Sequence, residues 1–310
     1  MAAKKKTPAN RYLRYELTNS GTPGTETSHF IDLAKDLSAI NRRLYRQGRA
    51  YHVKRVSIVS SNTIAAPGSS AGRITFSTAH DTWVTRNAWR RGFETKTAMD
   101  KMALKTMGSS AKPTFHDFKV YLSNDHRTGT VLTPKDNGGN NVQAGEWVYS
   151  TFVSPDGTTG ADDFEAVIHG DHVGAAGSRT VVGLVKSYSA TRATVQDTSP
   201  DLPGGASDDP LVNLFDDGTV LDEIVNDLET HNDAPPYNAN NYPGGDLNHP
   251  KPCVVQQTTL GADGKSSVGG FTAMCGLIEI EATSPVASDV YSVLVELAPG
   301  SYRGIAAEVI

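Results

Sequence analysis

The sequence predicts an all-β fold, a single jelly-roll β-sandwich carrying an N-terminal amphipathic helix and helical or loop insertions. Three observations point there. Apolar and polar residues alternate in about nine separate runs, each bounded by turn formers. The 29 Gly and 16 Pro supply many turns. Helical periodicity is confined to one stretch near the start and two insertions, and no 20–50-residue repeat appears that would indicate a propeller or solenoid.

Residues 1–27 read as a basic N-terminal arm, with Lys4, Lys5, Lys6, Arg11 and Arg14 ahead of the loop-like GTPGTETS. Such arms contact nucleic acid or act as import signals, and the plain alternative is a frayed terminus. Residues 28–310 follow as one shell-like domain. Its first element, 28–48, reads as an amphipathic helix with Ser28 as N-cap and Gly48 as stop. Leu33, Leu37, Ile40 and Leu44 form its apolar stripe, with Lys35, Arg42, Arg43 and Arg46 opposite. Alone, that is a solvated surface helix.

AYHVKRVSIVSS (50–61) and RITFST (73–78) read as strands. In the first, Tyr51, Val53, Ser57 and Val59 share one side. Residues 81–110 break the β pattern: Trp83, Trp89 and Phe93 precede Met99, Met102 and Met107 at helical spacing, an insertion of one or two helices. Aromatics beside Arg86, Arg90 and Arg91 either stack on bases or anchor the insertion to the core, the second being favoured. Strands are expected at 115–123, with Phe118, Val120 and Leu122 on one side, and at 145–155, 163–170 and 179–195. A second insertion, 196–250, contains a short helix at 219–230 and a loop dense in Pro, Gly and Asn. Strands at 253–260, 269–282 and 289–300 close the domain.

The net charge of -5 hides a division. Residues 1–125 carry 21 Lys and Arg against 9 acids, a balance of +12, and the remainder carries 8 against 25, a balance of -17. Such asymmetry suits a polyanion-facing part and copies that attract one another. Two cysteines, Cys253 and Cys275, are too few for a disulfide framework or a four-ligand zinc site, and Cys275 sits in an apolar run as a small core residue. This usage fits folding in the cytosol or nucleus. No apolar run approaches the roughly 18 residues a membrane span needs, nor does an apolar segment follow the basic start as in a secretory signal.

Catalytic signatures are scarce, and no enzyme, cofactor or metal is expected. His169, Asp171 and His172 lie close in sequence, but on a strand end positions 169 and 172 point to opposite faces. Asp208, Asp209, Asp216 and Asp217 lack EF-hand spacing, and the glycine pairs at 138–139 and 269–270 lack the Gly-Lys-Ser/Thr of a P-loop.

Several stretches together resemble the capsid proteins of small icosahedral single-stranded DNA viruses of the circular Rep-encoding type. They are Lys4, Lys5 and Lys6, the run RRLYRQGRAYHVKR, the W-x5-W-R-R-G-F pattern at 83–93, and NDAPPYNANNYPGG at 232–245. The resemblance implies a virion protein with a single jelly roll that self-assembles into a shell, made in the host nucleus or cytoplasm. Its partners are then further copies of itself and single-stranded nucleic acid, DNA by the resemblance, with no membrane insertion. Many such proteins carry a denser Arg-rich arm, which shifts expected genome contact here toward the helix and first strand or weakens it. Arg42, Arg43, Arg46, Arg49, Lys54 and Arg55 join the five arm residues as the expected nucleic-acid contacts. One alternative is a carbohydrate-binding or adhesin-like sandwich using Tyr237, Tyr242 and Trp147. Another is a metal-assisted hydrolase on a jelly roll using His169, Asp171 and His172.

Overall fold

Strict alternation makes a strand of the supposed arm. Leu13, Tyr15 and Leu17 are buried while Tyr12, Arg14, Glu16 and Thr18 are exposed, giving β1 (Tyr12–Thr18). A computed structural model describes residues 9–60, 72–108, 114–153, 163–175, 178–191, 252–261 and 263–310. Lys4, Lys5, Lys6, the 196–250 insertion with its 219–230 helix, and Tyr237 and Tyr242 lie outside the described residues.

The expected 28–48 helix is split. Residues 26–32 form β2 (Glu26–Asp32), and the helix α1 is only Leu33–Asn41. Asp32, not Ser28, is the N-cap, its side chain accepting from the Lys35 N–H at 3.1 Å. The helix stops at Arg42, which adopts the left-handed region (φ 50°) and returns its N–H to the Ser38 carbonyl. Tyr45 N–H then donates to Ser38 Oγ at 2.8 Å, fixing the exit turn. Gly48 serves a different need: a Cβ there would sit 2.8 Å from the Trp89 ring.

β3 (Arg49–Ser60) and β4 (Arg73–Thr78) occupy the predicted stretches. In β3 the register against a later strand jumps from Arg55↔Glu296 to Val53↔Leu297, so Lys54 is an unpaired extra residue. This bulge reverses the parity. Tyr51 and Val53 are buried, but beyond it Val56 and Ile58 point inward and Val59 outward, contrary to the expected single alternation. The insertion at 81–110 is a single helix, α2 (Trp83–Met107), capped by Thr82. Trp89 is its buried anchor and stacks on Phe93.

The predicted strand at 115–123 is extended chain without a ladder. Phe118, Val120 and Leu122 are all buried, as the alternation requires, but only Tyr121 forms a bridge, to Val167. Its N–H groups go instead to Ser150 Oγ, Gln47 Oε1, the Ala166 carbonyl and His126 Nδ1. After it come α3 (Asn124–Thr128), β5 (Thr130–Val131) and β6 (Thr151–Val153), the last being the laddered part of the expected 145–155 strand among the described residues. β7 (Asp163–Val167), β8 (Val173–Ala175) and β9 (Ser178–Gly183) lead into α4 (Leu184–Thr191), a helix where a continuous strand was expected.

β10 (Cys253–Thr259), β11 (Lys265–Val268) and β12 (Phe271–Ala273) precede a short 3-10 helix at Met274–Gly276, with Cys275 at φ 58°. That turn breaks the expected 269–282 strand, which resumes as β13 (Leu277–Thr283), followed by β14 (Val290–Leu297). β15 (Pro299–Gly300) and β16 (Gly304–Ile305) form a small hairpin, and β17 (Ala307–Val309) returns to β3.

Two antiparallel sheets enclose the main core, so the all-β sandwich expectation holds. One runs β1-β14-β3-β11, with β12 and β17 also on β3; the other runs β10-β4-β13-β2-β5, β5 joining in parallel. The long strands pair as nested hairpins: β1 with β14, β2 with β13, β3 with β11 and β12, and β4 with β10. Tyr15, Val56, Ile58, Phe76, Ile280 and Val293 are among the side chains that fill the space between the sheets. The second sheet is buried on its other face too, where Phe30 and Leu277 meet Trp89 of α2, Val185 of α4, and Phe118 and Phe152. The small sheet β6-β7-β9-β8 contributes to this second layer.

Candidate nucleic-acid interface

A single buried carboxylate organises the surface beside α1. Asp32 is fully buried and caps α1 through Oδ1. Its Oδ2 accepts from Gln47 Nε2 at 2.8 Å, Trp147 Nε1 at 3.0 Å and the Tyr149 hydroxyl at 3.1 Å. Gln47, also fully buried, accepts the Val120 N–H at 2.7 Å through its other end. Three otherwise unrelated segments are thereby fixed to the start of α1. Burial pushes the Asp32 carboxyl up, opposed by its four hydrogen bonds. Asp36, one turn later, accepts from the Tyr15 hydroxyl at 2.6 Å and is pushed up to about 8, by burial first and then by the Asp32 charge.

Above this anchor lies a groove of about 770 Å3 between α1, residues 114–119 and residues 144–151. Five Lys or Arg side chains line it against the carboxylates of Asp117 and Glu146. Lys35, Arg42, Arg43 and Lys119 make no ion pair among the described residues. Lys119 stands out because it is only 7% exposed. Its ammonium sits over the Trp147 ring, 4.7 Å from the centroid, and burial pulls its pKa down, partly offset by the charges of Asp117 and Asp32. Lys96, the fifth cation, pairs with Asp100 at 2.7 Å, and Asp100 also holds His116 at 2.7 Å. That bridge ties the 114–116 strip to α2 and leaves Phe115 at the rim, 73% exposed.

No family model, no curated protein and no solved structure matches this chain.

The structure scatters the expected contact residues. Arg42 and Arg43 line the groove. Arg46 does not join them; it donates to Asp117 Oδ1 at 2.8 Å, and Arg49 lies 3.8 Å over the Tyr302 ring. Arg11 donates to the Leu297 carbonyl, and Arg14 is exposed on β1. Lys54 and Arg55 are exposed on β3, at and beside the bulge, with Lys54 paired to Glu296 at 2.7 Å. Residues missed by the site expectation are Lys119, Lys96, Phe115 and the anchor Asp32–Gln47. The alternation of 115–123 does place Lys119 opposite Phe118 and Val120, so the signal was present. Its partners come from segments far away in sequence.

The other candidate residues have structural occupations. His169 accepts the His80 N–H at 3.1 Å and is pulled down to about 3 by burial. His172 accepts the Gly183 N–H, and Asp171 pairs with Lys186 at 2.6 Å. Among the described residues no three metal-ligating side chains come together. Trp147, the one described member of the sugar-stacking set, is half-buried, with its N–H on Asp32 and the Lys119 ammonium over its ring. No described helix is long and apolar enough to cross a membrane.

Proposed function

We propose that this chain is a viral coat protein that self-assembles into an icosahedral shell and encloses single-stranded nucleic acid, DNA by the sequence resemblance, in the virion. The observation that carries the reading is the nested pairing of the sandwich strands. With β11 and β12 taken as one interrupted strand, first pairs with last, second with seventh, third with sixth and fourth with fifth, a nesting that favours a long hairpin rolled into two Greek keys, as in a jelly roll. Jelly rolls serve capsids, lectins and cupins, and charge separates these possibilities. A sugar-binding or metal-binding module has no need of a +12 balance over residues 1–125, whereas a polyanion container does.

The division of charge also has a physical layout in this reading. Residues 196–250 hold 12 of the acids and no Lys or Arg, a surplus of negative charge that suits keeping particles apart. Arg14, Lys54 and Arg55 on the β1–β3 sheet, together with the groove cations, supply phosphate neutralisation that requires no base readout. Copies of the rigid sandwich make the symmetric contacts of a shell through their edges and insertions. Size exclusion and negative-stain microscopy of the purified chain test this. Closed particles are expected, and a monomer that persists across salt and pH overturns it.

A further inference from the structure

We infer that the groove beside α1 is a seat for one unstacked nucleotide of a single strand, with phosphate held by Arg42, Arg43, Lys35 and Lys119 and the base laid on Phe115. This rests on the encapsidation reading and adds to it an ordered contact where simple charge neutralisation needs none. Three features converge. Lys119 is more than nine-tenths buried, lines the groove, and lacks an ion-pair partner among the described residues. An ammonium carried on a buried stem, with its charge disfavoured by that burial, gains more from an anion delivered to the groove than a freely solvated lysine does. Arg42 and Arg43 line the same groove, on a turn whose backbone is fixed by the helix cap and by the Tyr45 N–H bond to Ser38. Asp117 is neutralised by Arg46, which leaves Glu146 as the opposing unpaired carboxylate on the lining.

The third feature is apolar. Phe115 is 73% exposed and Val148 is 63% exposed, both on the lining of a strongly basic recess. An exposed phenyl ring beside cations provides a stacking surface for any base, since every base has a π-face. A duplex cannot use it, because its base faces are already stacked on one another. The recess, at about 770 Å3, falls within the usual range for small-ligand sites and accepts an extruded nucleotide rather than a double helix. Stacking on a phenyl ring is open to every base, so the seat is expected to be sequence-tolerant.

The test compares oligothymidylate ten nucleotides long, an abasic oligomer with the same number of phosphates, and free thymidine monophosphate, each by fluorescence anisotropy or competition at fixed salt. The native chain is expected to bind the thymidylate oligomer about tenfold more tightly than the abasic one. Phe115→Ala is expected to erase that difference, and Phe115→Trp to preserve it, with unfolding midpoints unchanged because the side chain is exposed. Lys119→Met is expected to weaken both oligomers. Equal binding of the two oligomers by the native chain, or a difference that survives Phe115→Ala, overturns the seat. Monophosphate binding as tight as the oligomer's overturns the single-strand assignment. Microscopy of the same preparation separates the two claims. Closed particles that do not discriminate overturn the seat and leave the coat reading standing, while a persistent monomer that discriminates overturns the coat reading and supports the seat.

Discussion

Four arginines that look equivalent in sequence divide two and two in the structure, and paired variants expose the division. Arg46 donates to Asp117, whose side chain is 6% exposed, while its own is 48% exposed. Removing a charge-assisted hydrogen bond to a shielded carboxylate costs about 1.5–3 kcal/mol. The half-exposed Arg and the second bond that Asp117 keeps, from Gln47 N–H, bring this to about 1–2 kcal/mol. Arg49 over Tyr302 adds roughly 0.5–1 kcal/mol. The pair Arg46→Ala with Arg49→Gln is therefore expected to lower stability by about 2 kcal/mol, the two sites sharing Tyr302 and so not adding strictly. Arg42→Gly with Arg43→Gln behaves differently. Neither guanidinium has an ion-pair partner among the described residues, and glycine at φ 50° relieves a left-handed backbone, so stability is expected to hold or rise by up to about 1 kcal/mol. What this second pair loses is phosphate contact. Each single-strand phosphate contributes about 0.7 to the slope of log affinity against log salt, so the slope should fall by about 1.4. Urea unfolding and oligothymidylate binding across a salt series measure both quantities. Equal loss of stability and of salt slope in the two pairs refutes the division.

Further outcomes follow from buried groups. His126 and His169 are held down to about 3, so the unfolded chain takes up their protons first and stability falls as pH drops from about 6.5 toward 3. Asp36, raised to about 8, acts oppositely: its contribution is complete below about pH 4 and is lost as pH rises toward 8. Urea midpoints should therefore peak near about pH 6.5, and Asp36→Asn should flatten the alkaline side and steepen the rise between about pH 4 and 6.5, where the Asp36 loss opposes the histidine gain. Gln47→Leu strands the Val120 N–H and removes one of the bonds on Asp32, and calorimetry should show a loss of about 2–4 kcal/mol. Gly48→Ala forces a Cβ against the Trp89 ring and should cost about 1–3 kcal/mol by the same assay, a loss absent if Gly48 were only a helix stop.

Periodicity was legible wherever one contact pattern governed a run. β1, β3, β4, β10, β13 and β14 fall on runs of apolar side chains suited to a pleated surface, and α2 on helical spacing. β1 lies inside the basic arm: Arg14 takes one of its exposed positions, while the Leu13, Tyr15, Leu17 period marks the buried face. Ser28 and Gly48 have the right chemistry for caps, yet only Leu33–Asn41 of the 28–48 span is helical. The pairing of 26–32 with β13 decides that segment, and such long-range pairing leaves no local mark. Lys54 shows the same limit at one residue, since a bulge is set by the partner strand. For the groove, the halves were visible separately: Arg42 and Arg43 as charges, Trp147 as an aromatic, Lys119 as the polar member of an alternating run. Only the Asp32 and Gln47 hydrogen bonds bring them to one place.

The central claim is that this sandwich is a shell subunit for single-stranded nucleic acid. Negative-stain imaging of the purified chain at moderate ionic strength, with and without oligothymidylate, addresses it most directly. Closed particles of uniform diameter whose yield rises with the oligomer are the predicted result. A monodisperse monomer under every salt, pH and oligomer condition contradicts it.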